Sequence, residues 1–256
     1  MLETKVVTER FKNKRLDSIL VEMNLVSSRQ KAVSLIMRGD VFVEEEKISK
    51  PGKIIKINQK IQLKKSDLNW VSRGGTKLDA AIRKFKINVE GKVCLDIGCS
   101  TGGFSDVLLK NRIKKIFAVD VGYGQFDWKL RSSKKIILYE KTNARYIKPE
   151  MILDPIDLIV CDVSFISAKK VIDPNIKFLK KNKFQIIVLI KPQFEVQKKL
   201  VGRGGIIKDE KIHKDVCEDF KLWVHKKFNP DFLKIMDSPI TGQKGNKEFF
   251  AYFGVL

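Results

Sequence analysis

Apolar positions recur along the chain at two periods. Lys14 to Asn24 places Leu16, Ile19, Leu20 and Met23 at helical spacing, which predicts a short amphipathic helix. In the next segment Ser27-x-x-Gln30 reads as a capping box, and Gly39 suits the left-handed position that ends a second helix. Val41 and Val43 then open an extended stretch. After the Pro51-Gly52 turn signal, Ile55, Ile57, Ile61 and Leu63 alternate with polar residues and predict small half-exposed strands. The pattern breaks over KKSDLNWVSR, so residues 65–73 read as a linker between a domain at 1–64 and a larger one at 74–256. Trp70-Val71 is the apolar exception in that linker and is expected to dock onto a neighbouring domain.

Beyond residue 92 short apolar runs alternate with helical stretches. Strands are predicted at Val93–Ile97, Ile116–Val121, Ile136–Tyr139, Leu158–Val163, Phe184–Ile190, Leu233–Met236 and Phe249–Phe253. This order predicts a doubly wound, Rossmann-like α/β sheet preceded by a small α+β module. Between the fifth and sixth strands, Lys208 to Phe228 puts Ile212, Val216, Phe220, Trp223 and Val224 on one helix face, with His213 and His225 off that stripe.

Charge changes this picture. The formal net charge is +21 over 256 residues, and it divides as +7 for residues 1–75 and +14 for 76–256. Positive charge on two folded parts suggests a polyanion gripped by both, against the plainer alternative of a generally lysine-rich proteome. Cys94, Cys99, Cys161 and Cys217 have no C-x-x-C spacing and read as reduced core residues, so neither a disulfide framework nor a metal site is expected. No signal peptide is visible, and the longest apolar run, Ile186 to Ile190, is far below the roughly 20 residues of a membrane span. A soluble cytosolic protein without membrane attachment is expected, with a monomer as the favoured state.

Ligands of doubly wound sheets bind beyond the carboxyl ends of the strands. The first strand of the larger domain runs into LDIGCSTGGFSD, residues 95–106. A P-loop would need G-K-[ST] after its glycines, where this chain has Gly102-Gly103-Phe104. The dinucleotide pattern G-x-G-x-x-G fails as well, and Asp96 would repel a pyrophosphate. An adenosine ligand with a cationic end fits better. S-adenosylmethionine carries a sulfonium and an ammonium suited to Asp96, and a ribose suited to Asp120, which lies 22 residues after Gly98.

The fourth strand ends in CDVSFIS, which lacks the Asn/Asp-Pro-Pro-aromatic signature of base-amine methyltransferases. Other strand and helix ends supply Asp162, Lys191 in IKPQFE, Lys77 in SRGGTKL and Glu248 in GNKEFF. Two lysines and two acids at one site suit methylation of a weakly acidic hydroxyl. Lys191 is expected to take the proton, made less basic by Lys77 and burial and held by Asp162, with Glu248 orienting the lysines or the ribose.

Residues 15–17 (RLD), 28–32 (SRQKA), 36–43 (IMRGDVFV) and Lys50-Pro51 resemble the S-four (alpha-L) RNA-binding module. The set Lys77, Asp162, Lys191, Glu248 resembles that of FtsJ-like 2′-O-ribose methyltransferases. With WVSRGGTKL, VDVGYGQ, TNAR, LIKPQFE and GRGGIIKD added, nearly the whole chain resembles the TlyA (hemolysin A) family. That resemblance implies a class I methyltransferase with a seven-stranded sheet, S-adenosyl-L-methionine as cofactor, and 2′-O-methylation of cytidine in ribosomal RNA of the large and sometimes the small subunit, in a bacterial cytosol. It implies cofactor contacts at Asp96, Gly98, Ser100, Thr101, Gly102, Gly103, Phe104, Asp120, Val121, Asn143, Ala144 and Asp162. RNA contacts would fall at Arg15, Arg29, Lys31 and Arg38. The rival readings are a non-catalytic RNA-binding or ribosome-assembly factor, and a membrane-active hemolysin. The latter has little physical basis without an export signal or lytic segment.

Overall fold

The computed structural model describes residues 2–26, 28–64, 70–242 and 245–256. The chain divides into two compact units, Met1–Asp67 and Leu68–Leu256.

The first unit carries a four-stranded sheet formed by β1 (Leu2–Val6), β3 (Val41–Val43), β4 (Glu46–Lys47) and β6 (Lys60–Lys64), in the order β1-β6-β3-β4. β2 (Lys14–Arg15) pairs separately with β5 (Ile54–Ile55). Helices α1 (Leu16–Glu22) and α2 (Arg29–Arg38) bury the predicted apolar positions Leu16, Ile19 and Leu20 with Ala32 and Ile36. Three details depart from the periodicity. The first helix starts at Leu16, because Lys14 and Arg15 are already paired in β2. The second is capped by the Ser28 hydroxyl, which accepts from the Lys31 N–H at 3.2 Å, whereas Ser27 of the expected capping box lies outside the described residues. β1 was not anticipated: it is an edge strand that exposes both Leu2 and Val6, so it leaves no buried stripe in the sequence. Gly39 ends α2 at φ 79° as expected.

The second unit holds the seven-stranded sheet: β7 (Val93–Ile97), β8 (Lys115–Val119), β9 (Ile136–Tyr139), β10 (Leu158–Cys161), β11 (Phe184–Ile190), β12 (Phe232–Asp237) and β13 (Phe249–Val255). Its order is β12-β13-β11-β10-β7-β8-β9, with β13 antiparallel to both neighbours. Along β7, Leu95 and Ile97 join one core while Cys94 joins the other. Burial on both faces is why this strand is apolar almost throughout. Helices α3 (Arg73–Phe85) and α4 (Gly103–Lys110) cover one face. On the other, α5 (Glu210–Phe228) buries Val216, Phe220 and Val224, with Ile212 and Trp223 packed at the margin. His213 corrects the sequence reading: it is only 6% exposed, lying edge-on to Phe249 at 5.7 Å.

Two predicted strands end early, and this matters for the site. β8 stops at Val119 and β10 at Cys161, so Asp120 and Asp162 are the first loop residues beyond the carboxyl edge. β7 lies between β8 and β10, so the chain winds outward in both directions from it and opens a crevice at its end. Of the expected linker, residues 65–69 lie outside the described residues. Trp70 packs on Gly75 with the Lys110 ammonium 4.3 Å from its ring centre, and the Val71 N–H donates to Asp106 at 2.9 Å. No helix among the described residues is long and apolar enough to cross a membrane.

Candidate active site

The turn after β7 forms the floor of the crevice. Gly98 has φ 79°, and a Cβ there would stand 2.5 Å from the Asp162 carbonyl oxygen. Only glycine lets the two strand ends approach so closely. At Gly103, in the first turn of α4, a Cβ would lie 2.8 Å from the Gly75 backbone nitrogen. This glycine therefore lets α3 dock against α4, and α3 carries Lys77 over the crevice.

The crevice is a cleft of about 340 Å³ lined by Lys77, Gly98, Ser100, Asp162, Lys191 and Glu248, together with residues of four neighbouring segments. Lys191 and Lys77 are both 8% exposed. Each faces its own carboxylate. Lys77 Nζ donates to Glu248 Oε2 at 2.5 Å, and Lys191 Nζ lies 2.7 Å from Asp162 Oδ1. The antiparallel β13 brings Glu248, just before its first residue, to the carboxyl edge of the other strands. Lys77 thus has Glu248 as a carboxylate partner of its own. Asp162 Oδ1 makes no well-angled hydrogen bond, so its contact with Lys191 is an ion pair without a fixed direction.

The other expected positions separate into layers. Asp120 accepts the Ser100 N–H at 2.8 Å and the Gly122 N–H at 2.7 Å, one on each oxygen, which leaves lone pairs for a further donor. Val121 is 71% exposed beside it. Thr101 accepts from the Asp127 N–H through its carbonyl, and Gly102 caps α4 at φ 91°. Asn143 caps a short turn over Ala144–Tyr146, and Thr142 next to it donates to the Asp120 carbonyl at 2.9 Å, so this loop meets the same edge. Phe104 is core, stacked on Phe250 at 6.3 Å.

Asp96 does not stand on the cleft surface. It is fully buried beneath the turn, where Oδ2 accepts from the Ser105 hydroxyl at 2.6 Å and Oδ1 has no hydrogen-bond partner among the described residues. Burial, opposed by the Ser105 hydrogen bond and aided by the nearby Asp162 and Asp120 charges, pushes its carboxyl up to about 7. A raised carboxyl favours the folded state fully below its unfolded value, near 4, and this contribution is lost as pH rises through about 7. The difference in Tm between Asp96→Asn and the parent is therefore expected to grow in the variant's favour from about pH 4 to about pH 7 and to level off above. Parallel pH curves in thermal denaturation would contradict this.

Sequence reasoning missed Ser164, Phe165, Phe194 and Asn246, all at the cleft. Phe165 offered a signal, as an apolar residue in a loop at a strand end; it is 87% exposed. In the first unit it missed Asp17, a buried carboxylate that accepts from Arg15 at 2.9 Å and from Arg29 at 3.1 Å. The Arg15 hydrogen bond foremost, against the opposing effect of burial, and then Arg29 hold Asp17 at about 2. The two arginine side chains remain 49% and 59% exposed, so the aspartate fixes two cations on one surface. Lys31 and Arg38 lie on the same helix as Arg29. Among the described residues no cluster of three or more His, Cys, Asp or Glu could hold a metal ion.

A sheet of this order with a glycine turn at its switch point is the Rossmann-like fold of the methyltransferases. The sequence model of the FtsJ-like methyltransferases matches residues 70–255, and that of the S4 domain matches residues 14–61. The chain belongs to the FtsJ-like methyltransferase family, in its TlyA and hemolysin A branch. It is 38% identical over 240 residues to the 16S/23S rRNA (cytidine-2′-O)-methyltransferase TlyA of Mycobacterium tuberculosis, covering 93% of this chain and 88% of that one. Hemolysin A of Brachyspira hyodysenteriae is 40% identical over 242 residues, 93% of this chain and 99% of the relative. A solved Streptococcus thermophilus structure described as a hemolysin superposes with a TM-score of 0.71 at 36% identity, covering 95% of this chain and 88% of that one.

Proposed function

We propose that the protein transfers the methyl group of S-adenosylmethionine to the 2′-hydroxyl of cytidine in ribosomal RNA. The observation that carries this reading is Lys191, buried at the cleft and ion-paired with Asp162 beside the second pair, Lys77 and Glu248.

The cleft suits the cofactor on its own chemistry. The Gly98 turn leaves space where any side chain would intrude, the remaining lone pairs of Asp120 suit ribose hydroxyls, and the Asp162 carboxylate at the cleft favours a cation. When bound, the cofactor supplies an activated methyl on a positively charged sulfur. Lys191 takes the proton of the 2′-hydroxyl as the oxygen becomes nucleophilic, and Asp162 stabilises the ammonium that results. Lys77 is held at the cleft by Glu248 and adds positive charge beside the developing oxyanion. Exposed Phe165, held at φ 66° against Phe194 at 5.2 Å, offers a stacking face for an unstacked base.

The first unit grips the RNA backbone through Arg15 and Arg29. Their positions are set before binding by Asp17, so little side-chain entropy is lost on contact. Replacing both arginines with alanine is expected to weaken RNA binding about tenfold and to lower the slope of log affinity against log salt by roughly 1 to 2. Unchanged affinity and slope in a salt titration would remove this surface from the account. The reading as a whole is tested by supplying labelled S-adenosylmethionine and unmodified ribosomal subunits: label is expected on cytidine ribose. A pure assembly factor would bind the RNA and leave it unlabelled.

A further inference from the structure

Lys191 has a second partner at the cleft that the lysine–carboxylate pairs do not include. Its Nζ donates to Ser164 Oγ at 2.9 Å, a hydrogen bond of good geometry, whereas the contact with Asp162 is off-angle. The two neighbours therefore do different things. Asp162 supplies charge, which attracts from any direction, and Ser164 supplies direction.

The turn carrying Ser164 is held at both ends. Before it, the Asp162 N–H donates to the Ile97 carbonyl at 3.0 Å. After it, Glu195 accepts from the Ser167 hydroxyl at 2.6 Å and from the Ala168 N–H at 2.8 Å. Between these ties Phe165 sits at φ 66°, in the left-handed region that a bulky side chain rarely adopts. Strain of this kind persists where surrounding contacts over-determine a conformation, and it marks sites where geometry is used. Here it accompanies a turn that brings a serine hydroxyl back onto the lysine.

We propose that Ser164 is a positioning residue for Lys191, fixing the lysine so that its remaining direction points into the cleft. This rests on the methyl-transfer reading above. Ion-paired with Asp162, the lysine rests as an ammonium, so it first releases one proton to solvent; the neutral amine then has two N–H bonds and one lone pair. With one N–H on Ser164 and the other toward Asp162, the lone pair faces the substrate hydroxyl. In the step itself the 2′-O–H bond breaks and its proton moves to that lone pair. The oxygen–methyl bond forms as the sulfur–methyl bond breaks, and the sulfur leaves as a neutral thioether. The lysine ends as an ammonium with Ser164 and Asp162 still in place. Without Ser164 the charge pairing would survive, but the lysine would swing about Asp162.

The test is steady-state methyl transfer to ribosomal RNA by the full chain with Ser164→Ala and Ser164→Thr. Alanine should lower kcat about tenfold, the scale of one hydrogen bond to a charged group, with KM for RNA and cofactor affinity within about twofold. Threonine, which keeps the hydroxyl, should restore most of the rate. A kcat for Ser164→Ala equal to the parent's would overturn the proposal, as would a loss confined to KM. If the parent itself transfers no methyl group, the functional reading fails, and the contact is judged separately from the Lys191 Cε resonance in lysine-labelled protein. That resonance should move on Ser164→Ala; an unmoved resonance would overturn the contact also.

Discussion

Replacing Lys191 with alanine is expected to lower methyl transfer by a factor of about 10² to 10⁴, the usual contribution of a positioned general base, while leaving the fold and cofactor affinity near those of the parent. The separation follows from where the side chain stands. Its partner Asp162 keeps 20% of its side chain exposed, so the carboxylate left behind can be hydrated. Lys77 is a less discriminating target. Removing it would strand Glu248, only 3% exposed, as an unpaired buried charge at a cost of roughly 3–5 kcal/mol, and stability and activity would fall together. Single-turnover rates at saturating RNA and cofactor, read beside equilibrium cofactor binding, check the prediction. Near-normal turnover by Lys191→Ala would remove the lysine from the chemistry.

Gly98→Ala should damage the site from beneath. The added methyl would meet the Asp162 carbonyl at 2.5 Å, and the backbone would sit at φ 79° with a side chain attached. Neither conflict can be relieved locally, because Asp162 is tied to Ile97 and both strand ends belong to the core. The expected result is a loss of roughly 2–4 kcal/mol in stability and a fall in cofactor affinity of at least about tenfold as Asp162 and the turn separate. Gly91→Ala provides the contrast. It shares a positive φ of 70°, but among the described residues no atom lies within 4 Å of a Cβ placed there, so only the dihedral cost of about 1 kcal/mol applies. Equal Tm and equal cofactor binding for the two variants would show that close approach at Gly98 is unimportant.

The larger sheet was legible because its strands are short runs of buried residues separated by helical stretches, and each of the seven predicted strands is present. Strand-end reasoning also brought Lys77, Asp162, Lys191 and Glu248 to a single edge, and they line a single cleft. How they pair was not legible. Lys77 and Glu248 are 171 residues apart, and no local pattern records which lysine meets which acid. Asp96 suggested a ligand contact from its place ahead of the glycines, yet it lies buried under the turn, hydrogen-bonded by Ser105. Edge strand β1 was invisible since it buries little, and Asp17 looked like an ordinary polar helix residue because its burial depends on two arginines covering it. Ser164 lay within a quoted motif, but its partner is 27 residues away and its orientation depends on a strained turn.

The most direct test of the central claim is to incubate the purified protein with methyl-labelled S-adenosylmethionine and ribosomal subunits lacking ribose methylation, then to map the label by nucleoside analysis. Label is expected in 2′-O-methylcytidine of ribosomal RNA with the parent protein, and none above background with Lys191→Ala. Label on a base nitrogen or carbon, or transfer that survives the loss of Lys191, would contradict it.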